Sequence, residues 1–157
     1  MKRIIGVIIS CILMDQIIKI LITKYFEFAK SVNIINNFFR ITYLKNTGAA
    51  FSVFSGNQIF LILITVIFLM LVYILFIKNK KISDIDYILY GLLFGGAISN
   101  LIDRIRLNYV IDYLDFNIGS YNYPVFNLAD MLIVISVIVL LIKNLKEDKD
   151  ENKSWGN

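Results

Sequence analysis

The chain has 157 residues, 58% of them hydrophobic and 18% charged, with a formal net charge of +4. Its mean hydropathy is +0.71, and the apolar residues come in long blocks, the pattern of a membrane protein rather than of a soluble core. It has no histidine and one cysteine, Cys11, which excludes a Ser-His-Asp triad, a Cys-His pair, a His-built zinc site and an intramolecular disulfide.

No linker or repeat divides the sequence, so residues 1–157 read as one membrane-embedded domain. Four apolar runs are predicted to span a bilayer: Ile4–Ile22, Ile59–Ile77, Tyr87–Ile102 and Val125–Ile142. The first follows Lys2-Arg3 and so resembles a secretion signal, but Asp15 and Lys19 interrupt it and no small-residue cleavage site follows. In the loop Thr23–Gln58, Phe39–Leu44 is rich in β-branched and aromatic residues and Asn46-Thr47-Gly48 is a turn signal. Together they predict a small β element on the membrane surface. Ser83-Asp84-Ile85-Asp86 predicts an N-cap with acidic first-turn residues ahead of the third span. That span carries Gly91, Gly95, Gly96, Ala97 and Ser99, a small-residue face suited to close helix packing. Cys11 reads as a small packing residue. The charged tail 143–157 is expected to be disordered beyond one or two turns from Asn144. The fold class is thus an integral membrane protein, mostly α, with four transmembrane helices and a small extracytoplasmic β element.

Basic residues lie at span ends: Lys2-Arg3, Lys78/Lys80/Lys81 and Lys143/Lys146 share one side. This suits membrane orientation rather than nucleic-acid binding and puts both termini in the cytoplasm. Tyr25, Phe26, Phe28, Phe38, Phe39, Tyr109, Tyr113, Tyr121 and Tyr123 then fall at the outer interface. Counting from the inner end of each span at about 1.5 Å per residue, Asp15 and Lys19 lie roughly 17 and 22 Å up. Asn100 and Asp103 lie roughly 20 and 24 Å up, and Asp130 roughly 18 Å. Polar groups of three helices thus share the outer half of the hydrocarbon layer.

Ionisable groups at that depth are costly and mark function by default. Asp15 and Lys19 are four apart and can pair, either to fix helix packing or to serve a site, and the two roles are compatible. Asn100 and Arg104 share a face with Asp103 adjacent; an Asp103–Arg104 clasp with a structural or orienting role is favoured over a catalytic one. Asp130 fits a helix N-terminus, and Asp112 and Asp115 fit an exposed loop. Taken together, two carboxylates on one side of the membrane in a chain without histidine permit aspartyl hydrolysis. One activates water while the other gives a proton to the scissile carbonyl. The competing class is a small polytopic transporter or binding protein using the Asp/Lys cluster as an ion path. The crowding of the charges into one half of the bilayer opposes it, because it leaves no relay toward the cytoplasm.

In this order along the chain, Asp15-Gln-Ile-Ile-Lys19, Asn46-Thr-Gly-Ala-Ala-Phe51, Gly95-Gly-Ala-Ile-Ser-Asn-Leu-Ile-Asp-Arg104, Tyr109-Val-Ile-Asp-Tyr113 and Pro124-Val-Phe-Asn-Leu-Ala-Asp130 resemble the motifs of the bacterial lipoprotein signal peptidases. The resemblance covers nearly the whole chain. It implies a membrane aspartyl endopeptidase that cuts the signal peptide from diacylglyceryl-modified prolipoproteins just before the lipidated cysteine. It implies Asp112 and Asp130 as the catalytic pair. Asp15, Lys19, Asn46, Gly48, Asn100, Asp103, Arg104, Asn127 and Ala129 would shape the site and hold the substrate. It also implies inhibition by the cyclic peptide globomycin; membrane lipids are the expected surroundings, and with no histidine and one cysteine inside a span no metal or other cofactor is expected.

Overall fold

The computed structural model describes residues 2–49, 54–78, 83–119 and 121–154, with side chains as far as 146. Ala50 and Phe51 of the outer-loop motif, and Lys80 and Lys81 of the basic flank, lie outside the described residues. In chain order the elements are α1 (Lys2–Tyr25), β1 (Ser31–Ile35), β2 (Phe39–Asn46), α2 (Gln58–Val72, continued by a π-helical turn over Tyr73–Ile77), α3 (Asp84–Leu107), β3 (Val110–Ile118), β4 (Tyr121–Asn122) and α4 (Leu128–Ser154). Four helical stretches are long and apolar enough to cross a bilayer: Lys2–Tyr25, Gln58–Ile77, Asp84–Leu107 and Leu128–Lys146. Their outer faces expose large apolar residues such as Ile9, Leu13, Ile59, Met70, Ile138 and Leu141, which suits a hydrocarbon surround.

The centre of the bundle is α3, along which α1 and α4 pack closely while α2 touches it more lightly. The small-residue face makes this approach possible. A Cβ at Gly91, Gly95 or Gly96 would lie 2.6 Å from Val7 Cβ, Cys11 Cβ and Ala129 O respectively, closer than atoms can pack. Cys11 is buried against Gly95, in the packing role expected of it. Ser83 caps α3 with a reciprocal capping box to Asp86.

A four-stranded antiparallel sheet, ordered β1-β2-β3-β4, sits at the end of the bundle where α1 and α3 finish and α2 and α4 begin. Ile22, Tyr43, Ile111 and Tyr113 form the buried cluster that joins sheet to helices. Because β3 is covered on both faces, its burial does not alternate: Val110, Ile111, Asp112 and Tyr113 are all buried. The β2–β3 register slips between Ile41 and Leu44, setting Thr42 and Tyr43 opposite Tyr113 alone. A bulge of this kind re-aims side chains beside it, here next to Asp112.

Element ends depart from the sequence reading. The third helix begins at Asp84, directly after the Ser83 N-cap read from the sequence, but runs to Leu107, past Ile102, because its polar end is sheltered by the sheet. It stops at Asn108, whose left-handed backbone (φ 62°) returns its N–H to the Arg104 carbonyl. The fourth begins at Leu128, since Phe126 pairs as extended chain with Leu114. The tail, expected to be disordered, continues α4 to Ser154. A helix already nucleated by the span propagates readily, one further residue at a time.

Candidate active site

The five segments singled out in the sequence converge beneath the sheet. Lys19, wholly buried on α1, contacts Asp15 Oδ2 at 2.7 Å and Asp103 Oδ2 at 2.8 Å and donates to Asn100 Oδ1 at 2.8 Å. Its three donors are thereby used. Asp15 also accepts from Ser99 Oγ at 2.6 Å and from the Ala129 backbone N–H at 3.1 Å. Asp103 accepts from Gln16 Nε2 at 2.8 Å and from the Ile111 N–H at 3.3 Å. One cation and two carboxylates therefore bind α1 to α3, to β3 and to the first turn of α4.

The Asp103–Arg104 clasp anticipated from sequence does not form. Adjacent helical residues point about 100° apart, so Asp103 faces α1 while Arg104 faces the other way. The Arg104 guanidinium donates to the Gly48 carbonyl at 3.0 Å and lines a cavity. Asp115 is not an exposed loop residue either. It is buried on β3, where Arg40 reaches it with Nε and Nη2, each at 3.0 Å, and Thr42 Oγ1 donates to it at 2.6 Å. Gln16 and Ser99, given no polar role from sequence, belong to the buried network. Their spacing of three from Lys19 and four from Asp103 was the available signal.

Asp112 and Asp130 stand beyond Asn100 and Asn127. Asp112 leaves β3 beside the bulge, and its Oδ1 accepts from Asn127 Nδ2 at 2.7 Å and its Oδ2 from Asn46 Nδ2 at 2.8 Å. Asp130 is the third residue of α4, and its Oδ1 accepts from Asn100 Nδ2 at 2.7 Å and its Oδ2 from the Asn127 N–H at 3.2 Å. Asn127 returns the favour through Oδ1, which caps the Asp130 N–H at 2.9 Å. Its Nδ2 also reaches Asn100 Oδ1 at 3.2 Å. Asn46 holds its own loop through an Asx turn, accepting from the Gly48 N–H at 2.9 Å. Ala129 is fully buried between Gly96 and Asp15.

Among the described residues, every donor to these two carboxylates is an amide and no cation bonds to either directly. Burial pushes the Asp112 carboxyl up to about 7, the nearby Asp130 charge adds to the rise, and the Asn46 and Asn127 donors and the Lys19 charge oppose it. Both carboxylates face a cavity of about 540 Å³ whose other lining includes Arg104, Tyr123, Pro124, Met131 and Val134. No cluster of three or more His, Cys, Asp or Glu side chains able to hold a metal occurs among the described residues.

The family model described as Signal peptidase (SPase) II matches residues 7–146, so the four spans enclose a membrane peptidase. The lipoprotein signal peptidases of Halothermothrix orenii and Clostridium tetani are 40% and 37% identical to this chain, over 91% and 94% of it and 95% of each relative. That of Staphylococcus aureus is 35% identical over 90% of this chain and 87% of its own. Two solved structures of bacterial membrane enzymes, 33% and 34% identical, align with TM-scores of 0.87 and 0.82 over 96% and 93% of this chain and 92% and 94% of theirs. The chain belongs to the signal peptidase II family and is a protein of the bacterial cell membrane.

Proposed function

We propose that this peptidase cuts diacylglyceryl-modified prolipoproteins immediately before the lipidated cysteine, with Asp112 and Asp130 as an aspartyl pair. The observation that carries this is the convergence of two amide-bonded carboxylates, one from β3 and one from the first turn of α4, on one cavity. Each carboxylate oxygen accepts one N–H and keeps a second lone pair for water or a proton.

The pair shares one proton, because two nearby carboxylates do not both ionise cheaply. The ionised one takes a proton from water as its oxygen attacks the scissile carbonyl carbon, and the other protonates the carbonyl oxygen. In the collapse the second carboxylate recovers a proton from one hydroxyl of the diol, the C–N bond breaks, and the first gives its proton to the departing amine. The pair is restored without a cofactor.

Both termini lie in the cytoplasm and the sheet on the outer surface, following the basic span ends. The cut bond then lies near the outer leaflet, where the acyl chains of the modified cysteine reside. Arg104, holding Gly48, keeps the start of the loop after β2 at the cavity, which Ala49 lines, and globomycin would compete for the same space. The test is single-turnover cleavage of a lipidated precursor by folded, quantified protein. Asp112→Asn and Asp130→Asn are each expected to abolish cleavage while still inserting, and near-normal turnover by either would overturn the assignment.

A further inference from the structure

An α-helix begins with backbone N–H groups that no carbonyl of the helix can satisfy. In α4 each of the first three is taken by a different side chain. Asn127 Oδ1 takes that of Asp130 at 2.9 Å, Asp15 Oδ1 that of Ala129 at 3.1 Å, and Tyr113 Oη that of Leu128 at 3.1 Å. The first is a local cap and the second belongs to the buried charge network. Tyr113 stands apart. It is buried on β3, directly after Asp112, and is absent from the lining of the cavity. Its backbone N–H donates to the Phe126 carbonyl at 3.0 Å, so ring and backbone both grip the strand-to-helix junction that delivers Asp130. Burial, foremost, raises the phenol well above its ordinary range, the Leu128 N–H opposing and the Asp15, Asp130 and Asp112 charges adding. The oxygen therefore stays a neutral acceptor over the working range of pH.

We propose that Tyr113 is a positioning residue that fixes the reach of Asp130 relative to Asp112 through the hydrogen bond from Leu128 N–H to Tyr113 Oη. This rests on the reading of Asp112 and Asp130 as the working pair. A phenylalanine would fill the same space among Ile22, Tyr43 and Ile111 but leave the half-buried Leu128 N–H without its side-chain partner.

The experiment is a double-mutant cycle with Tyr113→Phe and Leu128→Pro. Proline is well suited to the first helical position, where it removes the same N–H from the other side. Each single variant is expected to lower kcat about tenfold, the effect of one lost hydrogen bond, with KM within about twofold because Tyr113 does not touch the cavity. The alkaline limb of the kcat profile is expected to move, since the spacing of the carboxylates sets how they share a proton. Tyr113→Phe in the Leu128→Pro background is expected to add nothing further. A Tyr113→Phe enzyme with wild-type kcat and pH profile, or one whose loss is the same in both backgrounds, would overturn the proposal. Asp112→Asn and Asp130→Asn measured alongside separate the two failures. If those are inactive, only the positioning role has fallen; if they turn over, the pair and the proposal fall together.

Discussion

Gly96→Ala isolates what the close approach of α3 and α4 does for the site. The added Cβ would stand 2.6 Å from Ala129 O and 2.9 Å from Ile133 Cγ1. Real Cβ atoms do not come nearer than 3.0 Å, so the helices must part here by at least 3.0 − 2.6 = 0.4 Å. The obstacle is a backbone carbonyl one residue before Asp130 and cannot rotate away. Overpacking of this kind costs about 1–3 kcal/mol of stability. The displacement acts on the contacts that aim Asp130: the 2.7 Å bond from Asn100 lies across the same helix pair. A misplacement of about 1 Å costs on the order of a hundredfold in rate, so a shift of about half that is expected to lower kcat about tenfold. The assay is single-turnover cleavage of a lipidated precursor, normalised to folded enzyme and paired with thermal unfolding in detergent. Gly91→Ala is the control, since its Cβ would stand 2.6 Å from Val7 Cβ, against α1 and farther from the carboxylates. It is expected to lose stability and keep kcat. Unchanged kcat in folded Gly96→Ala, or an equal kcat loss in Gly91→Ala, would refute the reasoning.

The Asn46 amide favours the ionised form of Asp112, whose pKa of about 7 it holds down. Asn46→Ala is thus expected to raise that pKa and carry the alkaline limb of the activity profile to higher pH by about one unit; a limb that stays or moves to lower pH contradicts it. Asp115→Asn removes the charge that Arg40 grips from two nitrogens at 3.0 Å. It is expected to cost about 2 kcal/mol of stability while folded enzyme keeps its turnover, measured by unfolding and by rate per folded molecule; lost turnover at unchanged stability would place Asp115 in the chemistry.

The sequence carried those features whose physics is local. The i, i+4 spacing of Asp15 and Lys19 announced their contact, the Ser83–Asp86 capping box its helix start, and the glycines of α3 a close-packed face. Features that need a register between elements were out of reach. Lys19 has Asp103 as its second carboxylate because α1 lies along α3, an approach for which Gly91 and Gly95 leave room beside Val7 and Cys11. Asp115 meets Arg40 across a sheet whose pairing shifts at the Ile41–Leu44 bulge, an offset no strand pattern announces. A polar span end reads as departure from hydrocarbon, so α3 looked finished at Ile102. In the fold those residues are sheltered under β3, and the helix carries Asp103 and Arg104 onward to different faces, Asp103 to α1 and Arg104 to the cavity. Tyr113 looked like an interface aromatic until the N-terminus of α4 was placed against its hydroxyl.

The network places its fixed charges and the proposed acid–base pair in separate layers. Asp15 and Asp103 are fully buried and joined through Lys19, and apart from the Lys19–Asn100 bond each remaining bond goes to a group that sets geometry: Ser99, Gln16, the Ile111 N–H and the Ala129 N–H. Such a cluster is a poor source of net stability, since desolvation offsets most of its attraction, but its bonds tie α1, α3, β3 and α4 to one another. Asp112 and Asp130 are reached from this layer only through neutral amides. Asn100 accepts from Lys19 with its oxygen and donates to Asp130 with its nitrogen, and Asn127 donates to Asp112. An amide transmits orientation without delivering a cation into contact. A direct lysine contact would favour the ionised form and draw the carboxylates toward two full charges, whereas amide donors allow one of them to keep a proton. The asparagines at 46, 100 and 127 thus meet both requirements of the proposed aspartyl pair, fixed position and a proton that can be shared.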